Sequence, residues 1–211
     1  MTPSLTYAPS SGAMYRGASM LDPWTFTWQP GTVPPDARPV APLEALALLN
    51  GRPGTRRLPV GVIGPKRATA QQIATAELLG RGIGEAGLTL LCGGKTGVME
   101  AACRGAASAG GLTIGILPDE EWQAANPYVA IPIATGIGPA RNAVIARACP
   151  VLVAVGGEYG TLSEIAFGLH FGRRVLTLED APVVPGAVAC PDVPVALQRM
   201  AEGLLGLDVH S

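Results

Sequence analysis

The residues best suited to chemistry form a glycine-rich turn that follows an apolar run at 151–155. Five successive apolar residues are typical of a strand that is buried on both faces, and Glu164 lies in the helical period behind the turn. Glycines let backbone N–H groups approach an anion, and the positive end of the helix dipole adds to the attraction. The turn therefore predicts a phosphate-binding site. Its candidate ligand-binding residues are Gly156, Gly157, Tyr159, Gly160 and Thr161.

A second glycine turn follows another apolar run, at 88–92. Its candidate ligand-binding residues are Gly93, Gly94, Lys95, Gly97 and Met99. We expect Met99 to pack mainly beneath the turn, whereas the Lys95 ammonium either contacts phosphate or is solvated. Two such turns on one sheet predict a ligand that carries a phosphate and a further group attached to it.

The elements that must position these turns follow a regular alternation from residue 58 onward. Strands are predicted at 59–63, 88–92, 113–117, 129–133, 151–155 and 174–178. Helices are predicted at about 68–86, 97–109, 139–149, 161–171 and 193–204. This order predicts an α/β fold with a doubly wound, mainly parallel, Rossmann-like sheet and helices on both faces. Ligands of such sheets bind beyond the carboxyl ends of the strands, where both glycine turns lie.

Residues 1–57 differ from the rest of the chain, because they hold nine of the 20 prolines and five of the ten aromatic residues. We expect an N-terminal arm that is mostly extended or irregular, with a short helix near 42–49. The arm either packs across its own domain or a sister subunit, or it gates the ligand pocket. The ligand-binding domain is predicted at 58–205, with a tail at 206–211.

Composition limits the partners and the compartment. With 15 Lys and Arg against 16 Asp and Glu, the formal net charge is -1, whereas nucleic-acid binding needs a concentrated basic face. No apolar run approaches the ~20 residues needed to span a bilayer, and no secretory signal is visible. We therefore expect a soluble cytoplasmic protein that binds neither nucleic acid nor membrane.

The cysteines and lysines exclude two further kinds of chemistry. The four cysteines lack the C-x-x-C spacing of metal and redox sites, so we expect buried free thiols and no metal centre. The two lysines, Lys66 and Lys95, each lie in a polar turn after a strand. Neither position suits the buried Schiff-base lysine of a pyridoxal phosphate enzyme.

Two motif matches are misleading. Residues 82–87 fit G-x-G-x-x-G, but they close a predicted helix and precede a strand, the reverse of a dinucleotide-binding turn. We expect a loosely packed helix end there. The stretch 94–96 has the Gly-Lys-Thr ending of a Walker A loop, but Thr89 stands where the first glycine belongs. This departure argues against NTPase chemistry.

Three longer segments carry a family resemblance: CGGKTGVMEAACRGA at 92–106, TGIGPARN at 135–142 and GGEYGTLSEIAF at 156–167. Together they resemble the Lonely Guy (LOG, or SLOG) superfamily, whose members were widely mislabelled as lysine decarboxylases. The combination is most similar to the branch that contains the molybdenum cofactor carrier proteins. The resemblance covers about residues 58–178 and implies a Rossmann-like fold and a homo-oligomer, a dimer or tetramer. It does not imply lysine decarboxylase activity.

The resemblance also implies roles for individual residues. In the LOG hydrolases the motif P-G-G-x-G-T-x-x-E supplies the phosphate turn and a catalytic glutamate, and a catalytic arginine lies on the preceding helix. Counting without a gap, these residues fall on Glu164 and Arg141. The chain departs from the motif at Gly156, which replaces the proline, and at Glu158, which replaces a glycine. Asn142, another candidate ligand contact, stands where the hydrolases usually carry lysine.

Each of these residues has an alternative interpretation. The spacing of Thr161 and Glu164 also fits a capping box, in which the glutamate only closes the start of the helix. Arg141 could be a solvated residue of a first helical turn, although the helix dipole mildly disfavours a cation there. The Glu158 carboxylate would repel a phosphate unless it points away or pairs with a cation.

The leading functional hypothesis is the binding of a phosphorylated nucleotide-like or pterin-like small molecule, as in the molybdenum cofactor carriers. The bound molecule would be the molybdenum cofactor or a nucleoside monophosphate, and no resident cofactor is required. One alternative is an enzyme, a phosphoribohydrolase that cleaves a nucleoside 5'-monophosphate into base and ribose 5-phosphate through Arg141 and Glu164. A second alternative is a sensor domain for a nucleotide signal. The sequence leaves open whether the ligand is turned over or only carried.

Overall fold

The computed structural model describes residues 4–207, so residues 208–211 of the expected tail lie outside the described residues. The strands are β1 (Leu5–Ala8), β2 (Ala13–Arg16), β3 (Ser19–Asp22), β4 (Thr27–Pro30), β5 (Arg38–Val40), β6 (Pro59–Ile63), β7 (Thr89–Cys92), β8 (Leu112–Leu117), β9 (Ile131–Ala134), β10 (Val151–Val155), β11 (Arg174–Leu178) and β12 (Val188–Ala189). The helices are α1 (Pro42–Asn50), α2 (Ala70–Glu85), α3 (Val98–Ser108), α4 (Arg141–Ala148), α5 (Tyr159–His170) and α6 (Val193–Leu204).

A seven-stranded sheet forms the centre of the fold, in the order β12-β11-β10-β6-β7-β8-β9. Every strand pair in it is parallel. The order reverses at β6, which lies between β10 and β7, and this is the switch point at which doubly wound sheets bind ligands. The predicted Rossmann-like α/β fold is confirmed.

The central strands are apolar because helices cover both faces of the sheet. All residues of β7 and β10 are buried. One core cluster gathers side chains of α2, α3 and α6 against one face, and a smaller cluster gathers those of α4 and α5 against the other. None of the helices found in residues 4–207 is long and apolar enough to cross a bilayer.

Helices α2 and α3 pack closely through glycines. A Cβ on Gly80 would collide with the carbonyl oxygen of Ala102, and a Cβ on Gly84 would lie 2.7 Å from that of Ala106. The expectation of a loosely packed helix end at 82–87 is therefore wrong. These glycines are required because two helix backbones approach each other there.

The segment before the main domain is more ordered than its proline content predicts. Strands β1 to β5 form an antiparallel sheet in the order β4-β3-β2-β1-β5, which differs from the predicted arm of mostly extended or irregular chain. Side chains such as Leu5, Met14 and Leu21 are buried in the larger core cluster, which stabilises the pairing. The Trp28 indole N–H also donates to the carbonyl of Leu205, 2.8 Å away, and attaches this sheet to the end of α6.

Candidate functional site

A cavity of about 590 Å³ opens at the carboxyl ends of the parallel strands. Its walls come from the loop after β6, the start of α3, the loop after β8 and the starts of α4 and α5. This volume lies in the range of small-molecule sites. The lining residues all fall between Gly64 and Glu164, so none of the described residues of the 1–57 arm closes the cavity within one chain.

Arg141 and Glu164 meet in this cavity. Arg141 is the first residue of α4 and Glu164 lies in the second turn of α5, and their side chains form a buried ion pair with Nη1 and Oε1 3.4 Å apart. The two residues are only 7% and 6% exposed, so the interpretation of Arg141 as a solvated residue is wrong. Its Nε is buried without a hydrogen-bond partner among residues 4–207. Such a donor is available to a ligand.

The environment of Glu164 favours its neutral form more than water does. Burial raises the pKa of this carboxyl to about 7, and the nearby Arg141 guanidinium opposes the rise. Near neutral pH the group is therefore balanced between proton acceptor and proton donor, which is the condition for general acid–base chemistry.

The capping-box interpretation of Glu164 is wrong. Helix α5 begins at Tyr159, two residues earlier than predicted, and its N-cap residue is Glu158. The positive φ angles of Gly156 (60°) and Gly157 (146°) turn the chain directly out of β10, which allows the early start. Thr161 and Glu164 consequently lie inside the helix, where Glu164 pairs with Arg141.

The first glycine turn contributes only part of its length to the cavity. Gly160 and Thr161 line it, together with Glu158. Gly156 lies behind the turn, where a Cβ would collide with the amide of Gln72. Gly157 packs against Thr161, and the Tyr159 side chain, 90% exposed, is outside the cavity lining.

The second glycine turn, at 93–97, packs against the side chain of Arg141. A Cβ on Gly93 would lie 2.5 Å from Nη2 of Arg141 and 3.0 Å from Sδ of Met99, so this glycine makes room for the guanidinium. Met99 lines the cavity. Gly94 and Gly97 have φ angles of 68° and 73° and shape the turn without lining the cavity.

Lys95 is neither a lining residue nor a solvated one. Its ammonium lies 2.9 Å from the Asp119 carboxylate and donates to the carbonyl of Ala124 at the same distance. Asn126 adds a hydrogen bond to the Lys95 carbonyl. The segment after β8 therefore folds over Lys95 and holds it away from the cavity.

Asn142 connects α4 and α5, the helices that carry Arg141 and Glu164. It lines the cavity and its amide donates to Ser163 Oγ, 2.9 Å away, and to the carbonyl of Gly160, 3.3 Å away. Its Oδ1 is buried without a partner among the described residues. The side chain therefore fixes α4 against the glycine turn at 156–160 and retains one unused acceptor.

Sequence reasoning missed the loop that follows β6. Lys66 and Arg67 line the cavity and supply exposed cations. The signal was available, because the loop follows the first strand of the sheet and carboxyl ends of parallel strands share one edge. With Arg141 included, three cations and the carboxylates of Glu158 and Glu164 surround the cavity. The described residues hold no cluster of His, Cys, Asp and Glu able to bind a metal.

Comparisons with known proteins find relatives of similar sequence and fold. An uncharacterized protein from Archaeoglobus fulgidus is 42% identical over 127 residues, which are 60% of this chain and 83% of that protein. The molybdenum cofactor binding protein from Rippkaea orientalis is 33% identical with a TM-score of 0.65, covering 69% of this chain and 96% of that one. The Moco carrier protein from Chlamydomonas reinhardtii is 34% identical with a TM-score of 0.66, covering 72% and 99%.

The matched family model covers the whole cavity. It extends over residues 57–198, well over half of the 211-residue chain, and every lining residue falls inside this range. The N-terminal antiparallel sheet lies before it. The LOG-like resemblance of the glycine turns is confirmed, and the chain belongs to the SLOG cluster4 family.

Proposed function

We propose that this chain binds a phosphorylated nucleotide-like or pterin-like small molecule in the cavity beside Arg141. The observation that carries the proposal is the surplus of cations at a sheet edge suited to ligands. Lys66 and Arg67 form no ion pair with any of residues 4–207, and the Nε donor of Arg141 is unused. An anionic group would satisfy all three.

The same cavity suits the remainder of such a ligand. Met99, Pro65, Pro118 and Pro139 contribute apolar surface to its walls, which a planar ring can contact. A molybdenum cofactor, as cargo, combines a pterin ring with a phosphate and so presents both kinds of surface. The two solved relatives that bind or carry this cofactor support the proposal.

Calorimetry with AMP, GMP and molybdopterin tests the proposal. We expect at least one of them to bind the full chain, and the double substitution Lys66→Ala with Arg67→Ala to weaken binding about tenfold or more, since charge-assisted hydrogen bonds to the phosphate are lost. Arg81→Ala is the matched control, because Arg81 is exposed on α2 outside the cavity. A folded parent protein that binds none of the three would overturn the proposal.

A second candidate function is hydrolysis of a nucleoside 5'-monophosphate to free base and ribose 5-phosphate. The close pair of Arg141 and Glu164 favours it. A carboxylate can stabilise the oxocarbenium-like transition state and orient water, while the guanidinium assists the departing base. The raised pKa of Glu164, about 7, suits transfer of the water proton.

Base release from AMP, followed by chromatography, tests this second function. We expect Glu164→Gln to lower the rate at least about 100-fold, since the proton acceptor is removed. Glu85→Gln, an exposed position near the end of α2, should leave the rate unchanged. The hydrolase hypothesis is wrong if the parent releases no base, or if Glu164→Gln is as fast as the parent.

We also propose that the chain is a homo-oligomer of the cytoplasm. Val144, Leu162 and Phe167 leave 44%, 37% and 38% of their surfaces exposed on α4 and α5, and apolar surface of this kind is typical of subunit contacts. The four buried free cysteines fit a reducing compartment. Light scattering coupled to gel filtration should give the mass of a dimer or tetramer, and a monomer mass would contradict the expectation.

A further inference from the structure

Glu158 is the acidic group of the cavity that has no ionic partner. Glu164 is paired with Arg141, and Asp119 with Lys95. The Glu158 side chain is exposed and lines the cavity, and no ion pair or side-chain hydrogen bond joins it to another residue of the range 4–207. Together with Lys66 and Arg67, it gives the cavity a free anion as well as free cations.

Helix α5 does not use this carboxylate. Glu158 is the N-cap residue, yet its side chain makes no capping hydrogen bond. Only its main-chain carbonyl takes part in the helix, by accepting from the N–H of Leu162 at 2.9 Å. The helix dipole stabilises a negative charge here, but this charge also cancels the positive potential that a phosphate would otherwise find at the turn.

A ligand phosphate is therefore attracted more to Lys66 and Arg67 than to the start of α5. The region beside Glu158 suits the opposite chemistry, a group with hydrogen-bond donors. A carboxylate has two oxygens that accept two parallel N–H bonds at once. The ring edge of guanine or pterin, with a 2-amino group next to a ring N–H, presents two such donors side by side.

We infer that Glu158 determines ligand specificity by accepting hydrogen bonds from the 2-amino-4-oxo ring edge of a guanine-like or pterin-like ligand, while Lys66 and Arg67 hold its phosphate. This inference rests on the proposed binding function and names the class of ring. Adenine is disfavoured, because its corresponding edge pairs one donor with an acceptor nitrogen that the carboxylate repels. Hypoxanthine keeps the ring N–H but lacks the amino group, so its affinity should lie between those of guanine and adenine.

Calorimetric titration of the full chain with GMP, IMP and AMP tests the inference. We expect GMP to bind about tenfold or more tighter than AMP, with IMP between them. In Glu158→Gln the ratio of the GMP and AMP affinities should fall to about one. Glu85→Gln should keep the parent ratio, and circular dichroism checks that each variant is folded.

A second variant distinguishes binding of the phosphate by Lys66 and Arg67 from recognition of the ring by Glu158. The double substitution Lys66→Ala with Arg67→Ala should weaken GMP and AMP by the same factor and leave their ratio intact. Equal affinity of the parent for GMP and AMP, or a GMP preference that survives in Glu158→Gln, would overturn the assignment while the binding function stands. Absence of binding by all three nucleotides and by molybdopterin would overturn both.

Discussion

At the scale of single residues, the buried pair of Arg141 and Glu164 is the most unusual feature of the site. Charged groups are removed from water at a substantial free-energy cost, which their mutual attraction and hydrogen bonds only partly offset. At 3.4 Å the pair is held loosely. A ligand anion that engages the free Nε of Arg141 would complete the polar contacts of the guanidinium.

The raised pKa of Glu164 predicts how stability depends on pH. Because the pKa is about 7 in the folded chain against an ordinary 4.5, the folded state holds more protons than the unfolded state between these values. The stabilisation from the protonated group is therefore present near pH 5 and lost as the pH rises through about 7. Urea unfolding of the parent should show a decline on the order of 1–3 kcal/mol over this interval.

The variant Glu164→Gln should remove that decline, and Glu85→Gln should retain it. The decline between about pH 5 and 7 does not come from the carboxyls of Asp119 and Glu77. Hydrogen bonds to Lys95 and Arg104 lower their pKa values, so both groups titrate below this interval. An equal decline in the parent and in Glu164→Gln would contradict the raised pKa.

Gly93 offers a second test at the residue scale, because its lack of a side chain makes room for Arg141. In Gly93→Ala the added methyl group should displace the Arg141 guanidinium and lower the affinity for GMP about tenfold. Gly51→Ala is the matched control, since no atom lies within 4 Å of its Cβ position. Calorimetry measures the affinity of both variants, and unchanged affinity in Gly93→Ala would show that the room left by Gly93 is not needed for binding.

The family resemblance implied Arg141 and Glu164, which are counted from one motif without a gap, and the structure brings their side chains together. Spacing did not distinguish the roles of Lys66 and Lys95, since each follows a strand of the same sheet. That difference arises from the segment after β8, which folds over Lys95 and places Asp119 beside it. A long-range contact of this kind leaves no local signal in the sequence.

At the scale of elements, the helices α2 and α3 pack in close contact. The two helices touch through Gly80, Gly84 and Gly105. Lys66 lies in the loop before α2, and Met99 is the second residue of α3. Small residues at such a contact let two backbones approach closely. Of the glycines at 82–87 that imitate a dinucleotide motif, Gly82 and Gly84 are explained by the packing of helices, and Gly87 by its positive φ angle of 67° after the end of α2.

Substitution of Gly80 tests this packing. Gly80→Ala should destabilise the fold by about 1–3 kcal/mol despite the better helix propensity of alanine, because the methyl group would collide with the Ala102 backbone. Gly160→Ala, in α5 with no atom within 4 Å of the Cβ position, should instead be neutral or stabilising by about 0.5–1 kcal/mol. Urea unfolding compares them, and a Gly80→Ala protein as stable as the parent would contradict the account.

The apolar strands of the central sheet were predictable, and the strands of the N-terminal sheet were not. Strand β10 was predicted at its observed bounds, since five buried apolar residues stand between turns. Strands β1 to β4 have four residues each and β5 has three. Their burial does not alternate regularly, and their pairing is stabilised by burial in the core cluster that they share with α6, which local sequence does not record.

At the scale of the whole molecule, the SLOG cluster4 domain and the N-terminal sheet lie on one continuous core. Besides Trp28, the guanidinium of Arg16 donates to the carbonyl of Gly206, 3.0 Å away, so the sheet closes the end of the domain at α6. The ligand cavity is at the carboxyl edge of the strands, with no described residue of the N-terminal sheet in its lining. The N-terminal sheet therefore packs on the domain away from the cavity.

The central claim is that Lys66, Arg67 and Arg141 hold a phosphorylated small molecule in this cavity. Native mass spectrometry of the purified full chain, before and after incubation with GMP or molybdopterin, tests it most directly. We predict a bound phosphorylated species on the parent and on Arg81→Ala, and its loss from the double variant Lys66→Ala with Arg67→Ala. A parent chain that carries no such species under either condition, or a double variant that carries it equally well, would contradict the account.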